Sequence, residues 1–219
     1  MDIANEIYSL HEARPRRKSN RLGGSLIGEK CERRIWYSFR HAGDDTFDGR
    51  ILRLFETGHI QEARIIEELR SLGYTITDAQ AVYTACNGHF VDKPDGVVDG
   101  EMSLEVKTMN DKAFKDLLRS GIPEKHQIQL ALHMLLGGYK YGLYISINKN
   151  HESIYGYVVE LKFELASSAL QKAQRIIDSL SPPTKISERK DFYICKFCPF
   201  TGICHSGEAM NKNCSTCRH

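Results

Sequence analysis

No apolar stretch in the 219-residue sequence approaches the roughly 18 to 20 residues needed for a membrane-spanning helix, so the sequence offers no bilayer span. The opening residues, MDIANEIYSLHEARPRRK, lack the apolar segment of a secretory signal, and the expectation is a soluble, cytoplasmic protein. Internal repeats and low-complexity runs are also missing. A hydrophobic content of 41% is enough for a sizeable core, which argues against wholesale disorder. The length suits one large domain, or one domain with a small module.

Strong charge of one sign is absent too, but the net +2 hides a division. Residues 1–40 sum to +4, residues 41–180 to −5 and residues 181–219 to +3. Basic ends around an acidic middle suit a protein that grips a polyanion and coordinates cations between. Solvated surface gives the same pattern, so charge alone decides nothing.

The chain divides into a basic, helical N-terminal segment (1–49), a core (50–180) and a cysteine-rich tail (181–219). Helices are expected over 31–41, 50–73, 110–119, 123–136 and 164–180, and strands over 74–77, 81–85, 88–91, 96–100, 103–109, 141–148 and 153–162. Gly23-Gly24 reads as a break. This order predicts an α/β core, with a mixed sheet flanked by helices.

Within that core, Glu62 lies on the long helix, Asp95 at the head of a strand, Glu105 and Lys107 on the next strand and Gln129 on the following helix. Strand residues two apart share a face, so Glu105 and Lys107 point one way while Val106 faces the core. Two unit charges about 4 Å apart repel by roughly 4 kcal/mol at an effective dielectric near 20. Three converging carboxylates therefore call for a cation, and oxygen ligation favours Mg²⁺ or Mn²⁺. Such an ion activates water and polarises phosphoryl oxygens, with Lys107 beside it as orienter or base. Taken singly, each residue reads as a solvated charge or a turn; order and spacing together give the pattern its weight.

The run Pro94-Asp95 … Glu105-Val106-Lys107 resembles the PD-(D/E)XK nuclease superfamily. Gly58-x3-Glu62 is similar to a helix motif of its RecB-like and phage exonuclease members. Gln129-x3-His133 is similar to their Q-x3-Y motif, with His133 where Tyr is usual. The resemblance implies a restriction-endonuclease-like core. It also implies metal ligation by Glu62, Asp95, Glu105 and the Val106 carbonyl, with Lys107 catalytic and Gln129 positioning water or phosphate. His59 is a second-choice ligand, one residue after Gly58 and so short of the motif's fourth position.

Five of the seven cysteines fall in the last 25 residues, and without an export signal clustered thiols favour metal ligation over disulfides. Cys195-x2-Cys198-x15-Cys214-x2-Cys217 has zinc-ribbon spacing. Alternatively, Cys195, Cys198 and Cys204 join distant Cys31. That second set resembles the iron–sulfur branch of RecB-like nucleases, which includes CRISPR-associated adaptation nucleases and AddB-type helicase–nucleases. It implies a structural [4Fe–4S] cluster. Cys214 and Cys217 then stand apart, free for a separate zinc with His205 or His219, and Cys86 reads as a small buried hydrophobe.

The expectation is a metal-dependent DNA nuclease, favouring exonuclease action on ends or single strands, in recombination, repair or processing. Arg14, Arg16, Arg17, Lys18 and Arg21 would track phosphates, and Trp36, Tyr37 or Phe39 would stack bases unless core packing claims them. The alternatives are a non-catalytic zinc-ribbon module binding DNA or protein, and a DNA-trimming subunit active only with a CRISPR-adaptation or recombination partner.

Overall fold

The structure is a computed structural model that describes residues 2–15, 19–43, 47–79 and 81–216. Arg16, Arg17, Lys18, Cys217 and His219 lie outside the described residues.

Helix α1 (Ile3–Ala13) starts where the Asp2 carboxylate accepts from Asn5 N at 3.3 Å. Gly23-Gly24, a break by sequence, instead belongs to a two-residue strand, β1 (Leu22–Gly23), and one turn of helix, α2 (Gly24–Ile27). Helix α3 (Glu32–Phe39) has Cys31 at its N-cap. The long helix α4 (Gly49–Ser71) is capped by Asp48, which accepts from Ile51 N at 2.8 Å. Strands β2 (Ile76–Thr77), β3 (Tyr83–Ala85), β4 (Phe90–Asp92), β5 (Gly96–Val98) and β6 (Met102–Met109) follow. Helix α5 (Asp111–Ser120) is capped by Asn110, and α6 (Glu124–Gly137) ends at Gly138 with φ +76°. Strands β7 (Tyr141–Asn148) and β8 (Ile154–Glu160) precede α7 (Phe163–Asp178), and α8 (Thr201–His205) lies in the tail.

The expected single mixed sheet is two sheets. The larger has the order β2-β5-β6-β7-β8 and the smaller β1-β4-β3. Strand β6 runs parallel to β7, with Glu105 opposite Tyr144 and Lys107 opposite Ser146. A parallel pair needs a crossover, and α5 and α6 supply it. Strand β1 joins β4 in parallel, Leu22 opposite Phe90, a pairing between segments too short and too distant for periodicity to reveal.

Alternation along β6 sorts its side chains. Leu104 and Val106 join Ile65, Ile66 and Leu69 of α4 on one face of the larger sheet. Met109 packs on the other face with Phe114, Leu117, Leu130, Met134 and Tyr144, between the sheet and α5–α6. A third cluster unites Leu22, Ile27, Ile35, Trp36, Phe90, Leu132, Ala173, Ile176 and Phe200. It thus draws on the N-terminal segment, the core and the tail together. Leu132 is fully buried there, and truncating such a residue to Ala costs about 2–5 kcal/mol.

Hydrogen bonds fix the end of α7 and the tail to α3 and the segment after it. Arg33 Nε donates to Pro183 O at 2.5 Å, Trp36 Nε1 to Ser179 O at 2.9 Å and Asn211 N to Ala42 O at 2.8 Å. Among the described residues, no helix is long and apolar enough to cross a membrane.

Candidate active site and cysteine cavity

Strand β6 brings Glu105 and Lys107 to the face covered by α6. Glu105 is fully buried, and its Oε1 pairs with Lys107 Nζ. Its Oε2 lies 2.5 Å from His133 Nε2, while His133 Nδ1 lies 2.5 Å from Asp92 Oδ2 on β4. Carboxylates only accept, so both His133 nitrogens donate and the ring is a buried cation. Burial opposes that charge, but the bonds to Asp92 and Glu105 outweigh it and raise the His133 pKa. Burial likewise opposes ionisation of Glu105, and Lys107 and His133 outweigh it, lowering the pKa. Lys107 is held charged against its own burial by Glu105, Asp95 and Glu62.

Asp95 stands just before β5, where its Oδ2 accepts from Val106 N at 2.7 Å. Burial, then the charges of Glu105 and Glu62, push its pKa up to about 7. Glu62 reaches the site from α4 and retains 17% exposure, with His59 Nδ1 3.5 Å from its Oε2. His59 itself is 75% exposed. Gln129 is buried on α6, one turn before His133.

Glu62, Asp95, Glu105 and Lys107 thus act on one another by charge. Among the described residues, however, no three His, Cys, Asp or Glu side chains are disposed to hold a metal ion as they stand. In the acidic site the reason is visible, because Lys107, His133 and Val106 N already occupy carboxylate oxygens. The donor chemistry still fits a hard divalent cation: three carboxylates and a strand carbonyl supply oxygen only. A carboxyl pushed up to about 7 by burial first and by acidic neighbours second is one whose charged form a nearby cation would favour.

Sequence reasoning missed Asp92 and His126. His126 Nδ1 lies 2.7 Å from the Tyr144 hydroxyl, and burial, followed by the Lys107 charge, lowers its pKa to about 4. It is therefore a neutral polar group at the rim of the site. The alternation that exposed Glu105 also applies on β4, where Phe90 and Asp92 are buried, but three residues are too few to show it.

Arg14 and Arg21 line a groove of about 690 Å³ with Lys93, His41, Phe39 and Phe200. Arg14 is also paired with Glu56 at 3.2 Å. Of the aromatics expected to stack on bases, Trp36 and Tyr37 are each only 3% exposed and belong to the core, whereas Phe39 faces this groove.

Cys31, Cys195, Cys198 and Cys204 line one small cavity with Arg33, Arg34 and Lys185, and all four are free thiols. Burial, then the neighbouring Cys31 and Cys204, raise the Cys195 pKa, and burial foremost raises that of Cys198. Thiols that line one cavity are soft donors, the chemistry that holds an iron–sulfur cluster or zinc. Cys214 lies elsewhere, in a groove with Cys86, His41 and His89. His205, a candidate partner for Cys214, lines the four-cysteine cavity instead, and its Nε2 is buried without a hydrogen bond.

No family model matches the chain, and no curated protein matches it. Solved structures do. LHK-Exo in complex with dAMP superposes with a TM-score of 0.56 at 13% identity, over 78% of this chain and 89% of that one. LHK-Exo alone, an alkaline exonuclease from Laribacter hongkongensis, gives 0.56 at 12% over the same shares. SSO0001 gives 0.57 at 16%, over 91% and 92%. At these identities the likeness is one of fold, and this chain has the mixed α/β fold of those proteins, alkaline exonuclease included.

Proposed function

We propose that this protein is a metal-dependent deoxyribonuclease that acts on DNA ends or single strands. The observation that carries the proposal is the buried pair of Glu105 and Lys107 beside Asp95, which accepts from Val106 N, with Glu62 near enough to act on Asp95 and Lys107, on a fold shared with an alkaline exonuclease. Glu62, Asp95, Glu105 and the Val106 carbonyl would hold Mg²⁺ or Mn²⁺. The bound ion supplies Lewis-acid stabilisation of a phosphoryl oxygen and acidifies water.

The chain's own groups do the rest. Lys107, fixed by Glu105 and held charged, orients the attacking water by donating hydrogen bonds. Gln129 hydrogen-bonds the water or the scissile phosphate. Helices α4 and α6 flank the strand that carries the motif and limit solvent access to it. The groove of Arg14, Arg21 and Lys93 accepts the phosphate backbone, and Phe39 offers a surface for a base.

Cys31, Cys195, Cys198 and Cys204 hold a structural [4Fe–4S] cluster in this reading, tying α3 to the tail. Phosphodiester hydrolysis needs no electron transfer, so the cluster's work is to clasp the chain. The separation of Cys214 from Cys195 and Cys198 favours this set over the zinc ribbon. Action within a recombination or adaptation complex fits the same chemistry.

The test is anaerobic purification with iron, zinc and sulfide analysis, then Mg²⁺ and Mn²⁺ assays on end-labelled linear and on circular DNA. Iron with sulfide, and cation-dependent degradation of linear DNA, are the expected results. Zinc without cleavage would replace the proposal with a binding module.

A further inference from the structure

Glu105 does not stand alone as a metal ligand. Its carboxylate is backed by a chain of three buried groups drawn from both sheets and the helix between them. Asp92 on β4 is 2% exposed, and His133 on α6 and Glu105 on β6 are fully buried. Each His133 nitrogen is 2.5 Å from a carboxylate oxygen, one on Asp92 and one on Glu105. A ring held at both ends cannot swing, and a carboxylate bonded to it cannot turn without breaking that bond.

We propose that Asp92 and His133 form a strut that fixes the Glu105 carboxylate in the orientation in which it receives the metal ion, His133 being a positioning residue. The inference rests on the nuclease reading. It explains the departure at position 133, where a phenol could not bridge two carboxylates with two donors. It also gives the small sheet a task. Strand β4 is paired with β1 and β3, and Asp92 itself stands opposite Tyr83 of β3. Gly24 packs so closely behind it that a Cβ there would come within 1.9 Å of Asp92 Oδ1. The N-terminal segment thereby sets the position of a ligand on a strand of the other sheet.

A carboxylate has about four acceptor sites, and His133 and Lys107 take one each. Room for a cation remains, and its placement is narrowed to the unused lone pairs. Partners of this kind behind a metal ligand typically change metal affinity 10- to 100-fold when removed.

The experiment measures Mn²⁺ affinity by electron paramagnetic resonance on the full chain and on Asp92→Asn and His133→Gln, each checked for folding by circular dichroism. The expected result is Mn²⁺ binding weakened about 10- to 100-fold, an unchanged KM for DNA, and a kcat that recovers as Mn²⁺ is raised. A second arm uses the double variant Asp92→Leu/His133→Leu. That variant removes the Asp92–His133 pair together and leaves Glu105 with Lys107, so its stability is first measured by urea unfolding. If the pair served folding alone, that variant would regain metal affinity with its stability; the strut predicts a stable protein that still binds Mn²⁺ weakly.

Wild-type Mn²⁺ affinity in a folded variant from either arm overturns the strut and leaves the nuclease reading standing. A wild-type protein that neither binds Mn²⁺ nor cuts DNA overturns both.

Discussion

The acidic site and the cysteine cavity both gather residues from distant parts of the chain, but different forces hold them. In the acidic site every charged side chain already has a protein partner: Glu105 has Lys107 and His133, His133 has Asp92, and Asp95 has a backbone N–H. In the cysteine cavity four free thiols face one another, with Arg33 Nη1 to Cys204 Sγ, at 3.9 Å, a distant contact. The first is pre-organised by its own ion pairs. In the proposed reading, the second is held together by an added group. Preorganisation belongs where chemistry needs fixed geometry, and a clasp belongs where two ends of a chain must be joined.

The largest effect is expected where that network is cut at its centre. Glu105→Ala should abolish cleavage and weaken Mn²⁺ binding. It also leaves Lys107 and one side of His133 unpaired, so unfolding in urea should show a loss of about 3–5 kcal/mol.

The contrasting cut is Cys31→Ala. A cluster joining residues 31 and 195 acts as a cross-link over a loop of more than about 100 residues, a constraint worth about 4–5 kcal/mol. Iron content and Tm should both fall, while Cys214→Ala should leave both unchanged. Full iron in Cys31→Ala, with all metal lost in Cys214→Ala, would restore the zinc-ribbon pairing.

Lys107→Ala separates chemistry from architecture, since His133 still holds Glu105. Metal and DNA binding should stay near normal. Single-turnover cleavage should slow about 10²- to 10⁴-fold, which is roughly 3–5 kcal/mol of barrier. Undiminished cleavage would remove Lys107 from the mechanism.

His126 gives a pH test. Its folded pKa is lowered, to about 4 from 6.5. Its contribution to stability is therefore complete above pH 6.5 and is lost as pH falls through the folded value. The loss should approach about 3 kcal/mol near pH 4. Urea titrations between pH 4 and 7 should show this slope in the wild type and its absence in His126→Phe.

The smallest effect concerns the groove. Replacing Arg14, Arg21 and Lys93 by Gln should lower the slope of log K against log salt by about 0.7–0.9 for each phosphate that is no longer neutralised. An unchanged slope would place the DNA elsewhere.

Much of the acidic site is legible in the sequence because its signals are local. Glu105-Val106-Lys107 shows its alternation within a strand of eight residues, and the Asp48 and Asn110 caps mark where α4 and α5 begin. What escapes is non-local or brief. Strand β1 has two residues and exists only because β4 lies beside it. Asp92 sits at the end of a three-residue strand, and its role depends on a helix residue 41 positions away. Position 133 reads in sequence as a motif residue replaced, whereas in the structure its ring lies between Asp92 and Glu105. Sequence leaves Trp36 between stacking and core, and the bond from its indole to Ser179 O shows it is core.

Gly24 lies far from the chemistry in sequence, on a single turn of helix, yet its missing side chain leaves the space that Asp92 fills. In a library of random substitutions this position would therefore behave like an active-site residue, intolerant even of alanine. The chain's vulnerability to mutation is thus mapped by the volumes its interior must leave free as much as by the groups that react.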